Sequence, residues 1–206
     1  MGFYDTHILP HLLGWAMDAK PIRYQRRKVV PLAEGQVLEI GIGAGNNLPF
    51  YDAAKVSKVW GLEPSPEMRA RAAKVAAGTA LDVELIDFDA EEIPLDDRSV
   101  DTVLVTYTLC TIPDAIKALH GMGRVLKPGG KLIFCEHGEA PDLSVRKWQR
   151  RLTPVWRKFG GGCYLGRPIP AMLREGGFAI DRLDTMYLPS TPRFAGFNYW
   201  GIARKA

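Results

Sequence analysis

Three glycines at alternate positions, Gly41, Gly43 and Gly45, follow the apolar, β-prone run Val37-Leu38-Glu39-Ile40 and lead into Asn46-Asn47. Glycine lets the chain turn sharply and lets a ligand rest against the main chain with no Cβ in the way. A carboxylate, Glu63, ends the next apolar stretch, Val59-Trp60-Gly61-Leu62. It stands about twenty residues beyond the first glycine, where a nucleotide-binding βαβ unit presents an acid to a ribose. The loop is ill suited to phosphate. A dinucleotide fingerprint needs glycine at its sixth position, which here is Asn46, and no Lys or Arg stands in or directly after the loop. Glu39 would repel an anion and favours a ligand with a cationic amine.

Four further segments follow in order. Asp89-Ala90-Glu91-Glu92-Ile93-Pro94-Leu95 is an acidic turn; Ser99 to Val105 is an apolar strand; Gly123 to Leu132 reads as helix, Pro-Gly-Gly turn and strand; Phe134-Cys135-Glu136-His137 ends the last of these strands. With the glycine loop and Glu63, the first three resemble the class I S-adenosylmethionine-dependent methyltransferases of the type 11 domain. Beyond about residue 104, Thr108 to Ile112, Phe134-Cys135-Glu136-His137, Trp148-Gln149, Thr153 to Trp156 and Gly162-Cys163 resemble the branch that includes alkyl-thiol S-methyltransferases, although a hydrophobic N-terminal anchor like theirs is not expected from these residues.

The resemblance implies S-adenosyl-L-methionine as donor and S-adenosyl-L-homocysteine as product. It implies a donor site of Glu39, Gly41, Gly43, Gly45, Asn46 and Asn47 around the methionine, Glu63 with Pro64 and Met68 at the ribose, Asp89, Ala90 and Glu91 at the adenine, and Thr106 and Tyr107 near the methyl. His137, Glu136 and Tyr107 are the catalytic candidates, with His137 as base or acceptor orienter; a loop histidine that caps a helix or rests on Trp148 is the bland alternative. Cys135, in an apolar strand, reads as core and Cys163, after the glycines, as more accessible. The implied function is methyl transfer to a small lipophilic acceptor, a thiol first, with a phospholipid or amine N-methyltransferase and a non-catalytic donor-binding scaffold as alternatives.

The elements that must position these groups alternate. Strands are expected at 36–41, 57–63, 82–87, 100–107 and 131–136, and helices at 46–54, 66–77 and 113–127, the second capped by Ser65-Pro66. That order implies an α/β fold with helices on both faces of a mostly parallel, Rossmann-like sheet. A basic helix over 143–159, a short one over 169–175 and two strands at 178–187 and 194–204 follow. The resemblance implies seven strands, the last two an antiparallel hairpin. One domain is expected over 1–206, with a helical lid at 1–33, where Tyr4, His7 and Tyr24 could close the site, and an acceptor-side insertion at 137–176.

Composition narrows the setting. The 206 residues carry 27 basic and 23 acidic side chains and are 47% hydrophobic, ordinary for a globular chain. Three cysteines without close spacing read as free thiols of a reducing compartment, with no metal site. No apolar run is long enough for a membrane span and no signal peptide is read, so a cytoplasmic protein is expected. The myristoylation-like start Met1-Gly2 reads as chance. In 146–159, six Lys and Arg alternate with Trp148, Trp156 and Phe159. Peripheral contact with an anionic membrane, capture of an anionic acceptor, or a solvated face with the tryptophans tucked inward are the readings. No nucleic-acid-reading module is visible, and the oligomeric state is left open.

Overall fold

The computed structural model describes residues 19–206. Among them, seven strands form one sheet: β1 (Gly35–Ile40), β2 (Val56–Leu62), β3 (Val83–Ile86), β4 (Val100–Thr106), β5 (Leu126–His137), β6 (Phe178–Tyr187) and β7 (Phe197–Lys205). Their order is β3-β2-β1-β4-β5-β7-β6. The pairs from β3 to β5 are parallel, while β7 runs antiparallel to both β5 and β6. The strand order reverses between β1 and β4, and ligands of open α/β sheets bind outside the carboxyl ends of the strands at such a reversal. Gly41 follows β1 at that place and Tyr107 follows β4, with Ile40 paired to Val105.

Side chains alternate between the faces of a strand. Leu38, Ile40, Val103, Val105, Leu132 and Phe134 therefore enter one core, under α3 (Ala115–Val125) and α5 (Ile169–Glu175). Val37, Leu104, Ile133 and Cys135 enter the other, under α1 (Lys20–Val29) and α2 (Pro66–Ala76). Cys135 is core, as its apolar strand suggests. The expected cap of α2 is present: the Ser65 hydroxyl accepts from the Met68 N–H at 3.3 Å. Asp114 caps α3 in the same way, accepting from Lys117 at 2.9 Å.

The expected helix at 46–54 does not form; a 3-10 turn over Leu48–Phe50 stands in its place. The chain turns extended at Tyr51, and the Asn47 and Tyr51 side chains on either side of the turn are drawn down into a buried network. The last strand begins at Phe197, after the short helix α6 (Arg193–Gly196), three residues later than expected. Helix α4 (Leu143–Phe159) has its expected bounds, but its tryptophans are not tucked away: Trp148 is 56% and Trp156 39% exposed. Of the expected lid, Tyr4 and His7 lie outside the described residues. Tyr24 is exposed and stacked by Lys28, 4.5 Å from its ring centre, so it closes nothing there.

Candidate active site

All three loop glycines have positive φ, of 65°, 58° and 80°. At Gly41 the need is twofold, because a Cβ would lie 2.5 Å from the Thr108 side chain. The loop is closed from above by Glu63. Its Oε2 accepts the Gly43 N–H at 3.1 Å and its Oε1 accepts that of Ser65 at 3.0 Å. Burial raises the Glu63 pKa, opposed by those two hydrogen bonds and by Arg69. A carboxylate accepts about four hydrogen bonds. Two acceptor positions on Glu63 are thus left for hydroxyls of a ligand.

A crevice of about 190 Å³ opens here. Gly41 and Glu63-Pro64 form one side, Asp89, Ala90 and Glu91 another, and Thr108 and Ile112 the third. The fold thus brings the glycine loop, the strand-end acid and the acidic turn to one place. Asp89 is exposed, whereas Glu91 is tied to the start of α3, its Oε1 accepting the Asp114 N–H at 2.6 Å. Asn46 is half-buried in the loop, and Met68 is half-buried in the first turn of α2. A second cavity, about 230 Å³, lies beside Arg98, His120 and Arg124. It sits at the amino end of β4, remote from the glycines.

Below the loop is a buried polar network. Glu39 is 1% exposed; its Oε2 accepts from the Tyr51 hydroxyl at 2.7 Å and its Oε1 from Asn47 Nδ2 at 2.8 Å. Asn47 also donates to Thr106 Oγ1 at 2.9 Å, and Arg26 of α1 donates to both Asn47 Oδ1 and Thr106 Oγ1. Burial raises the Glu39 pKa to about 7, against the pull of Tyr51, Asn47 and Arg26. Glu39, Asn47 and Thr106 thus form the floor that shapes the loop. Arg26 was not singled out by the sequence reading. Its signal is the spacing Ile22, Arg26, Val29, which lies on one face of α1.

At the carboxyl end of β5, Glu136 is fully buried, and its Oε1 accepts the Thr108 and Leu109 N–H groups at 2.7 and 3.1 Å. It clamps the crevice wall from behind. Burial raises its pKa to about 7 despite those bonds. Tyr107 has a positive φ of 54°, unusual for a bulky residue. Its hydroxyl is buried, donating to Asn198 Oδ1 at 3.3 Å and accepting from Cys135 Sγ at 3.6 Å. His137 Nε2 lies 3.1 Å from Cys163 Sγ. Cys163 is buried, 8% exposed, not accessible as its glycines suggest. Hydrogen bonds from Cys110, His137 and Trp156 hold its thiol pKa well down despite burial. Burial pulls the His137 pKa down, but the Cys163 sulfur outweighs it and the net shift is upward.

The sequence of residues 38–134 matches a family described as a methyltransferase domain. Thiol S-methyltransferase TMT1B of Rattus norvegicus is 33% identical over 172 residues, which are 79% of this chain and 70% of that protein. Phosphatidylethanolamine N-methyltransferase of Cereibacter sphaeroides is 34% identical over 118 residues, 55% of this chain and 57% of its own. Among solved structures, a SAM-dependent methyltransferase of Thermotoga maritima superposes with a TM-score of 0.68 at 22% identity, covering 97% of this chain and 98% of that one. The fold is therefore the Rossmann-like methyltransferase fold, and the chain belongs to the class I S-adenosylmethionine-dependent methyltransferases and is similar to the branch that includes thiol S-methyltransferases.

Proposed function

We propose that the protein transfers the methyl group of S-adenosylmethionine to a small lipophilic thiol. What supports the acceptor class is the level of identity sustained beyond residues 38–134: thiol S-methyltransferases of rat and human are each 33% identical over 172 and 175 residues, whereas a demethylmenaquinone methyltransferase of Thermus thermophilus, aligned over 199, is 29% identical. The acceptor-side half of the chain shares in it.

The crevice suits the donor. Positive-φ glycines leave bare main chain for the methionine portion, and the two open acceptor positions of Glu63 suit ribose hydroxyls. Asp89 and Ala90 stand where the adenine amino group would be met. S-adenosylmethionine, when bound, supplies an already activated methyl group. The protein's part is then to hold two reactants in line and to exclude water. A thiol suits a site built this way, because a free thiol ionises near pH 8.5 and presents its own nucleophile in part near neutrality. Glu136 serves as a positioning residue, holding the Thr108-Leu109 wall through two N–H groups.

A second reading, methylation of a phospholipid amine, is favoured by the exposed basic and apolar surface of α4 and by the Cereibacter relative. Transfer of labelled methyl to a panel of alkyl and aryl thiols, run beside phosphatidylethanolamine vesicles, tests both. Thioether product supports the thiol reading. Label in lipid with none in any thiol overturns it.

A further inference from the structure

Cys110, His137 and Cys163 come from three separate parts of the chain: the loop after β4, the last residue of β5 and the glycine turn after α4. Nothing in their spacing links them, yet their Sγ and ring nitrogen atoms all lie within 4.8 Å of one another. Both thiols are buried, and His137 is half-buried. The neighbouring Glu136 is fully buried and its Oε2 has no hydrogen-bond partner. Two convergent thiols beside a buried carboxyl with one unpaired oxygen make a pocket that suits a cation.

We propose that Cys110, His137 and Cys163 form a binding site for a thiophilic divalent cation, best matched by zinc. Two sulfurs and one imidazole nitrogen are the donor set zinc prefers, and harder cations such as magnesium or calcium take oxygen ligands instead. Zinc–sulfur and zinc–nitrogen bonds of about 2.3 and 2.0 Å give tetrahedral edges of about 3.5 Å between sulfur and nitrogen and about 3.8 Å between sulfurs. His137 Nε2 and Cys163 Sγ, now 3.1 Å apart, need to open only slightly to meet that edge. Three protein ligands leave a fourth position for a water or another small ligand. The ion would fasten the 160–164 turn to the loop whose Thr108 and Ile112 wall the crevice; the Tyr164 N–H already donates to the Cys110 carbonyl at 2.9 Å. None of the three residues lines the crevice itself, and the inference goes beyond the proposed thiol methylation.

The test uses the full chain, reduced and stripped of metal, with cobalt(II) and zinc(II) alone as probes and neither donor nor acceptor present. The expected result is one equivalent of cobalt, with the intense visible bands of a tetrahedral ion and a thiolate charge-transfer band, displaced by zinc. Cys110→Ser and Cys163→Ser should weaken zinc binding by about 100-fold or more, exceeding the usual loss of an outer-shell partner. Cys135→Ser should bind as wild type does, its thiol lying in the other core beside Tyr107. Zinc should also raise the melting temperature of the wild type, which keeps the test informative if a variant fails to fold. No stoichiometric binding by the reduced wild type, or bands that survive in Cys163→Ser, would overturn the proposal. Because the readout involves no methyl transfer, its failure leaves the thiol reading standing, and the reverse holds too.

Discussion

Glu63 and Glu39 are both strand-end carboxylates of a glycine loop, but their surroundings give them different work. Glu63 is half-buried at the crevice, with two acceptor positions to spare. Replacing it by alanine removes two hydrogen bonds to a charged acceptor, each worth about 1.5–3 kcal/mol. Donor affinity should fall by about 100-fold or more. Glu39 is sealed under the loop, and its pKa is raised to about 7 by burial. An acid with a raised folded pKa keeps its proton more firmly in the native state than in the unfolded chain. Its contribution to stability is full below the unfolded value near 4.5 and is lost as pH rises through about 7. Melting temperature followed from pH 5 to 8 should therefore fall less steeply in Glu39→Gln than in wild type. Equal slopes would remove the buried-acid account. The sequence shows both carboxylates but not this division, because whether Tyr51, Asn47 and Arg26 converge beneath the loop is decided only when α1 docks on the sheet.

Most elements are legible from local signals: alternating apolar strands, the Ser65-Pro66 start of α2 and the amphipathic run of α4. The helix expected at 46–54 is not, because a proline compatible with a first helical turn also fits a single 3-10 turn, and the tertiary pull on Asn47 chose the latter. One residue of helix α4 makes most of its buried polar ties to the rest of the fold. Gln149 accepts from Ala140 N–H at 3.0 Å and donates from Nε2 to the carbonyls of Gly138, Leu165 and Phe194 at 2.9, 3.0 and 3.1 Å. Gln149→Leu leaves these buried groups unpaired, at about 1–3 kcal/mol each. The melting temperature should drop by about 5 °C or more. On its outer side α4 exposes Trp148 and Val155, seven residues apart and so on one stripe, next to Arg151 and Lys158. We propose that this stripe rests on anionic membrane surfaces. Trp148→Asp with Val155→Asp should abolish sedimentation with anionic vesicles at low salt and leave the melting temperature unchanged. Undiminished sedimentation would contradict it.

At the scale of the molecule, no helix among the described residues is long and apolar enough to cross a membrane. The parallel part of the sheet reverses its strand order between β1 and β4, and Gly41, Glu63 and the Asp89–Glu91 turn line one crevice there. This much follows from the order of motifs, since a βαβ chain that reverses once opens its crevice at the reversal. The cluster of Cys110, His137 and Cys163 does not follow from any spacing, because three loops meet only once the hairpin β6–β7 and helix α4 are in place. The most direct measurement of the whole account is a calorimetric titration of S-adenosylhomocysteine into the wild-type chain and into Glu63→Ala. One site per chain, weakened about 100-fold or more by the substitution, is the predicted result. A folded wild type that gives no binding heat over a range of temperatures, or a Glu63→Ala variant that binds as tightly, would contradict the placement of the donor against Gly41 and Glu63.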